Sequence, residues 1–213
     1  MSAKIRLFGV ELSPYSLKVR SYFRYKKIRH EWVPRNSTNK PAFERFAKLP
    51  LVPLVVMPAG ESMQDSTPIM EHFEKLHTNP SIFPVSPALA FLTALIEEYG
   101  DEWGNKQMFH YRWTYEPDQK ATAKRIVSLT RPGLNPEEVS AAVEQVRAHM
   151  VPRLSFVGSS ESTRDHIESS FDRLLSILEK HLGQRMYLFG GRPTLGDFGL
   201  GSQLYQCATD PTA

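Results

Sequence analysis

Three short segments in the first third of the chain carry the side chains best suited to chemistry. They are Ser13-Pro14-Tyr15-Ser16, Val52-Pro53 and Asp65-Ser66. Serine followed by proline is typical of a helix start, with Ser13 as the N-cap and Pro14 in the first turn. The dipole and the unpaired N–H groups at that end favour an anion, to which a hydroxyl can donate a hydrogen bond. A ligand thiol held at Ser13 would therefore ionise more readily than a free thiol, whose pKa is about 8.5.

The other two segments offer backbone and charged groups. Val52-Pro53 precedes an apolar run and would present an extended backbone edge. Asp65-Ser66 places an acid and a hydroxyl at the start of another expected helix, with Ser66 as its N-cap. Purely structural roles stay open as alternatives. Ser13 and Ser66 would then be simple helix caps, and Pro53 would be an ordinary proline at a strand start.

Apolar patterns in the first part of the chain predict the order β-α-β-α-β-β-α, which is the thioredoxin-like layout. Alternation and β-branched residues indicate the strands, and helical spacing of apolar residues indicates the helices. The expected elements are strand Lys4–Val10, helix Pro14–Lys26, strand His30–Pro34, a short helix over Phe43, Phe46 and Leu49, strand Leu51–Met57, edge strand Ser62–Gln64 and a helix from Ser66.

The remainder of the chain predicts helices only. The expected helical segments are Ala88–Tyr115, Asp118–Thr130, one from Asn135 to Met150, Thr163–Leu182 and one through Cys207, opened by a capping box at Thr194 and Asp197. Pro152–Ser162 is expected to be a loop. The expected domains are residues 1–78 and 88–213, joined by a proline-rich linker at 79–87. The end at Ala213 is either natural or a truncation.

Composition narrows the partners and the location. The chain has 213 residues, a net charge of +3 and one cysteine, Cys207. A single cysteine excludes an internal disulfide and a cysteine-based zinc site. The mild, dispersed charge does not favour nucleic acid. No apolar leader and no run of about 18 apolar residues is present, so we expect a cytoplasmic protein without a membrane partner.

With its motifs in this order, the chain resembles a serine-type, bacterial-like member of the cytosolic glutathione S-transferase superfamily. The resemblance spans nearly the whole chain. It implies an α/β plus all-α fold, with an N-terminal thioredoxin-like domain followed by a C-terminal helical bundle. It also implies that Ser13 is the catalytic hydroxyl, which stabilises the thiolate of glutathione. In glutaredoxins the same turn is C-P-Y-C, and S-P-Y-S excludes thiol–disulfide exchange by cysteines of this turn.

The resemblance also implies a glutathione site. Val52 would pair with the cysteine of glutathione beside a cis Pro53, and Asp65-Ser66 would hold the γ-glutamyl end. The residues expected to bind glutathione are Tyr15, Ser16, Leu51, Val52, Pro53, Gln64, Asp65 and Ser66. Many serine transferases have a lysine directly before V-P, where this chain has Leu51. Lys40 or Lys48 would then have to meet the glycine carboxylate.

The second substrate is expected against an aromatic-rich segment of the helical domain. Its candidate wall comprises Trp103, Phe109, His110 and Trp113. An apolar wall with few polar groups suits a small apolar electrophile, although stripes of aromatic residues on helices more often belong to a core. The resemblance implies metal-free conjugation of glutathione by a homodimer, as in detoxification. Two alternatives stay open: a glutathione-dependent isomerase or ether-cleaving lyase, and a non-catalytic glutathione-binding or adaptor protein.

Overall fold

A computed structural model describes residues 4–213. Contacts divide the chain into two units. The first comprises the described part of Met1–Ser81 together with Ile126–Asn135, and the second comprises Ile82–Arg125 and Pro136–Ala213. No sequence pattern indicated that residues 126–135 join the first unit. The limits of the linker at 79–87 stay a prediction.

The first unit is built on a four-stranded mixed sheet. Its strands are β1 (Ile5–Gly9), β2 (His30–Pro34), β3 (Leu54–Val56) and β4 (Ser62–Gln64), in the order β2-β1-β3-β4. β1 is parallel to β2 and antiparallel to β3, and β4 is antiparallel to β3. Helices α1 (Pro14–Tyr25), α2 (Lys40–Glu44) and α3 (Ser66–Leu76) complete the unit. The predicted thioredoxin-like layout is confirmed.

β3 and α2 differ most from the bounds that the apolar pattern predicted. β3 begins at Leu54 rather than Leu51. Pro53 has no N–H to give to a strand ladder, so pairing cannot extend through it. α2 ends at Glu44, before Phe46. Phe46 nevertheless packs on the core formed by β1, β3 and α2, which explains its place in the apolar pattern.

A buried ion pair ties the end of α1 to α3. Lys26 Nζ lies 2.8 Å from Glu74 Oε2 and donates to the carbonyl of Pro80 at 2.7 Å. The Tyr22 hydroxyl donates to the same carboxylate at 3.0 Å. Burial, and after it the charge of Glu74, raises the pKa of Tyr22. Because several partners share the buried charges, the cluster fixes the position of α1 against α3.

The chain from Pro87 onward is helical apart from its turns. The helices are α4 (Pro87–Tyr99), α5 (Asn105–Thr114), α6 (Glu116–Thr130), α7 (Pro136–Met150), α8 (Arg164–Leu182) and α9 (Leu195–Cys207). The helix predicted over Ala88–Tyr115 is interrupted by a π-helical turn at Gly100–Gly104, and the loop predicted at Pro152–Ser162 begins with a 3-10 turn at Val151–Val157. In the described range, 4–213, none of the helices is long and apolar enough to cross a membrane.

α4 and α9 cross at very short range. Thr93 Oγ1 donates to Thr194 Oγ1 and accepts from the N–H of Gly196, both at 2.8 Å. The predicted capping box of Thr194 and Asp197 is present at the start of α9. A Cβ added at Gly199 would lie 2.9–3.1 Å from atoms of Glu97 in α4. The crossing therefore leaves no room for a side chain at position 199.

We expect Gly199→Ala to lower the free energy of unfolding by about 1–3 kcal/mol, because the added methyl group overpacks the crossing. Gly201 is a matched control in the same helix, since a Cβ there meets nothing within 4 Å. Gly201→Ala should raise the free energy of unfolding by up to about 1 kcal/mol through helix propensity. Urea denaturation measures both variants, and shifts of the same sign and size would contradict the close crossing.

Candidate functional site

Ser13 lies where β1 leads into α1. Its backbone is extended, with φ −94° and ψ 115°, and its Oγ accepts a hydrogen bond from the N–H of Ser16 at 3.2 Å. The residue is therefore a true N-cap, but capping uses only the acceptor capacity of the hydroxyl. The hydroxyl proton is donated to no other group among residues 4–213. A half-buried hydroxyl with a proton to donate thus lies at the positive end of a helix dipole.

Ser16 lies beneath this surface rather than on it. Its side chain is fully buried, and its Oγ accepts from the N–H of Val10 at 3.3 Å. It holds together the turn between β1 and α1. The predicted contact of the Ser16 side chain with a ligand does not fit this position. Tyr15 is half-buried in the first turn of α1, and its role as a binding residue stays a prediction.

α3 begins at Ser66, so its cap is Asp65, and the prediction of Ser66 as N-cap is wrong. Asp65 has φ 76° and ψ 129°, in a region that residues other than glycine rarely adopt. Such strain is typically retained where a binding site requires it. The Asp65 side chain is exposed and has no hydrogen bond or ion pair within the described part of the chain. Its carboxylate can therefore meet a cation.

A buried ammonium group lies under the start of α3. Lys18, in α1, is fully buried and donates from Nζ to Ser66 Oγ at 3.3 Å and to Thr67 Oγ1 at 3.0 Å. None of the sequence motifs includes Lys18. One signal was available, because Lys18 is four residues from both Pro14 and Tyr22, and all three lie on the buried face of α1.

The segment before Val52 is held by the side chain of Gln64. Gln64 Oε1 accepts from the N–H groups of Lys48 and Leu49 at 2.8 and 3.0 Å. Its Nε2 donates to the carbonyls of Leu49 and Leu51 at 2.9 and 2.7 Å. Both ends of the amide are thus used by the loop. The predicted contact of Gln64 with a ligand does not fit; the residue orders the loop that leads to Val52.

Val52-Pro53 keeps its backbone available. The peptide bond between the two residues is cis, as predicted. Neither the N–H nor the C=O of Val52 takes part in a hydrogen bond within residues 4–213. An extended peptide ligand can pair with such a segment as an added strand. Leu51 is 60% exposed and offers an apolar side chain where many serine transferases have lysine. Lys40, one of the two lysines considered for the glycine carboxylate, has its Nζ 3.6 Å from Glu44 Oε1, one turn further along α2.

The aromatic segment of the second unit divides into core and surface residues. His110 and Trp113 are almost completely buried. Both rings lie in the core and neither exposes a ring face that could form the wall of an open pocket, so this prediction is not supported. Trp103 is exposed, with Lys106 Nζ 4.3 Å from its ring centroid, and Phe109 is half-buried. These two stay predictions for the second-substrate site.

His110 has partners that the sequence did not reveal. Its Nδ1 lies 2.8 Å from Ser159 Oγ, and its Nε2 lies 3.1 Å from Glu168 Oε1. The Tyr115 hydroxyl donates to the same carboxylate oxygen. Burial alone would raise the pKa of Glu168, but the hydrogen bonds from Tyr115 and His110 lower it below its ordinary value. The cluster joins α5 to α8 and to the turn before α8, which indicates a structural role.

Cys207 is buried in the second unit. Burial, and after it the charge of Asp210, raises the pKa of the thiol to about 12. The thiol is therefore protonated at neutral pH and is not a nucleophile. Across residues 4–213, no three histidine, cysteine, aspartate or glutamate side chains are grouped as a metal ion would require.

Family comparisons match both parts of the chain. The family described as glutathione S-transferase, N-terminal domain, matches residues 7–81, which include Ser13, Val52 and Ser66. The family described as glutathione S-transferase, C-terminal domain, matches residues 161–212. No curated protein sequence matches the chain.

Several solved structures share the fold at low sequence identity. A glutathione S-transferase from Rhodospirillum rubrum F11 is 20% identical, with a TM-score of 0.58 over 98% of this chain and 80% of that chain. FzlA from C. crescentus is 20% identical, with a TM-score of 0.59 over 95% and 77%. A glutathione S-transferase from Methylobacterium radiotolerans, in complex with glutathione sulfonate, is 20% identical, with a TM-score of 0.54 over 96% and 79%.

Gln64→Met tests the ordering of the loop. The variant keeps the length of the side chain but removes all four hydrogen bonds to the loop. We expect the amide hydrogens of Lys48 and Leu49 to exchange with solvent roughly fivefold faster or more, since each hydrogen bond contributes about 1 kcal/mol. The amide hydrogens of Val55, in β3, should be unaffected. NMR-detected hydrogen exchange measures these rates.

Gln64→Glu is the matched control. Its carboxylate still accepts from Lys48 and Leu49, so these two amides should stay protected, while the carbonyls of Leu49 and Leu51 lose their donor. Unchanged exchange at Lys48 and Leu49 in Gln64→Met would show that the loop is ordered by other contacts.

Proposed function

Because the chain belongs to the glutathione S-transferase superfamily, we propose that its first unit binds glutathione and that Ser13 stabilises the thiolate of the bound tripeptide. The observation that carries this proposal is the state of the Ser13 hydroxyl. Its oxygen accepts from the helix, at Ser16, and its proton has no acceptor within the described residues. A donor in this position, at a helix start, favours the thiolate over the thiol.

The proposed binding site uses the three segments in separate roles. The free N–H and C=O of Val52 pair with the cysteine of glutathione. The exposed carboxylate of Asp65 meets the ammonium of the γ-glutamyl group, and Ser66 with the N–H groups of the first turn of α3 meets its carboxylate. Tyr15 and Pro53 complete the site. The complex of the Methylobacterium radiotolerans transferase with glutathione sulfonate supports this choice of ligand.

The proposed reaction is conjugation. The thiolate of glutathione attacks an electrophilic carbon of a small apolar substrate and forms a carbon–sulfur bond, while the bond from that carbon to its leaving group breaks and the group departs to solvent as an anion with the electron pair. The thiol proton has passed to solvent beforehand. The rate arises from the larger thiolate fraction and from holding the two reactants together. No metal takes part in this scheme. A glutathione-dependent isomerase or lyase would use the same thiolate. The homodimer that the resemblance implies and the cytoplasmic location expected from the sequence stay predictions.

Leu51 favours a second candidate function. Where many serine transferases have a cation for the glycine carboxylate, this chain exposes an apolar side chain. A protein that binds glutathione without conjugating it, or that serves as an adaptor, would tolerate this replacement. The hydroxyl at Ser13 supports the enzyme instead.

Ser13→Ala separates these functions. The variant should raise the pKa of the bound glutathione thiol, because the hydrogen bond from Ser13 stabilises the charged thiolate more than the neutral thiol. One hydrogen bond to a charged group is worth about 1.5–3 kcal/mol, so conjugation at neutral pH should slow by roughly one to two decades. The pH–rate profile should move to higher pH by a matching amount. A generic aromatic electrophile gives the rates, and thiolate absorbance of the binary complex gives the pKa.

Asp65→Asn is the counterpart of Ser13→Ala. It should weaken glutathione binding and leave the thiol pKa unchanged, because Asp65 is proposed to contact the γ-glutamyl ammonium and not the sulfur. Identical thiolate titrations for the wild type and Ser13→Ala would remove Ser13 from catalysis. A wild-type protein that binds glutathione without conjugating any electrophile would support the non-catalytic function.

A further inference from the structure

We propose that Lys18 is a positioning residue of the glutathione site, which acts through the hydroxyl of Ser66 without touching the ligand. Its buried ammonium fixes the direction in which Ser66 donates, so that the hydroxyl proton points to the γ-glutamyl carboxylate. The inference rests on the proposed function, because it requires that carboxylate to bind at the start of α3.

The hydrogen-bond chemistry of the pair determines the direction. An ammonium group donates three hydrogen bonds and accepts none. Ser66 Oγ, 3.3 Å from Lys18 Nζ, must therefore accept from it, as must Thr67 Oγ1 at 3.0 Å. The proton of the Ser66 hydroxyl is then directed away from Lys18.

The Ser66 hydroxyl proton has no hydrogen-bond acceptor among the described residues. Ser66 is only 2% exposed, yet within the described range, 4–213, no group accepts its hydroxyl proton. A buried hydroxyl ordinarily satisfies its donor as well as its acceptor. An unused donor in the first turn of α3, beside N–H groups that favour an anion, is suited to a carboxylate. Lys18 favours this orientation of the Ser66 hydroxyl, because its ammonium donates to a lone pair of Ser66 Oγ and so directs the hydroxyl proton elsewhere.

The charge of Lys18 acts in the same direction. The ammonium is fully buried beneath the first turn of α3, where a positive charge adds to that of the helix dipole. Charges interact more strongly in such surroundings than in water. Asp65, on the exposed side, is proposed to meet the ligand ammonium. Lys18 should consequently affect glutathione binding only through the γ-glutamyl carboxylate. A residue that only stabilised the fold would affect ligands with and without this carboxylate equally.

The test compares two ligands in the full-length protein. One is glutathione, and the other is 4-aminobutyryl-cysteinyl-glycine, which lacks only the γ-glutamyl carboxylate. In Lys18→Met we expect the Kd for glutathione to rise about tenfold, as for loss of a hydrogen bond to a charged group. The Kd for the analogue should not change. In steady-state kinetics KM for glutathione should rise while kcat and the thiol pKa stay the same, because the sulfur is held at Ser13.

Three further variants complete the design. Ser66→Ala should give the same ligand-selective loss, and adding Lys18→Met to it should cost little more, since the two residues act as one unit. Lys18→Arg keeps a buried donor and should retain part of the affinity for glutathione. Lys75→Met removes an exposed lysine from α3 and should change neither Kd. Circular dichroism of each variant checks its folding, and Lys18→Arg carries the comparison if Lys18→Met does not fold.

The outcomes are distinct. A selective rise in the Kd for glutathione supports the proposal. An unchanged Kd for glutathione overturns it, and an equal rise for both ligands overturns it as well, because Lys18 would then only support the fold. Equal Kd values of the wild-type protein for glutathione and for the analogue would also overturn it, because the γ-glutamyl carboxylate would then contribute nothing to binding. A wild-type protein that binds neither ligand at millimolar concentration would instead overturn the proposed function, and this inference with it.

Discussion

The start of α1 at Ser13 is the constraint on which the rest of the site depends. An N-cap must offer an acceptor to the helix, and a catalytic hydroxyl must offer a donor to its ligand. Serine can do both, because its single oxygen accepts from the N–H of Ser16 while its proton stays available. The surroundings maintain this arrangement: Ser16 Oγ binds the turn from β1, and Lys26 with Glu74 fixes the far end of the helix.

The hydroxyl group at the start of α3 is used in the same two ways. The oxygen of Ser66 accepts from Lys18, and its proton is free within the described residues. Two serines at two helix starts thus present donors, one assigned to a thiolate and one to a carboxylate. Val52, which lies between the two serines in the sequence, has backbone groups without a hydrogen bond in the described part of the chain, and these suit the peptide part of the ligand. The loop before Val52 is held by the Gln64 side chain, which shapes the candidate site through its hydrogen bonds to that loop.

Local patterns predicted most of the fold and, at the candidate site, the cap at Ser13, because strand alternation, helix caps and proline positions are properties of neighbouring residues. The cis bond at Pro53 and the capping box at Thr194 are confirmed examples. Contacts between distant residues were beyond such patterns. Gln64 meets a loop some fifteen residues away, and His110 meets Ser159 and Glu168 on later segments. Helical spacing also could not separate the buried Trp113 from the exposed Trp103, since aromatic residues satisfy either position.

Our proposal that the sulfur of glutathione lies at Ser13 can be tested with a crystal structure of the complex with glutathione. We expect the sulfur at about 3–3.5 Å from Ser13 Oγ, within hydrogen-bond reach, and the cysteine backbone paired with Val52. A sulfur placed beside Tyr15 or Ser16, or no bound glutathione after soaking at millimolar concentration, would contradict it.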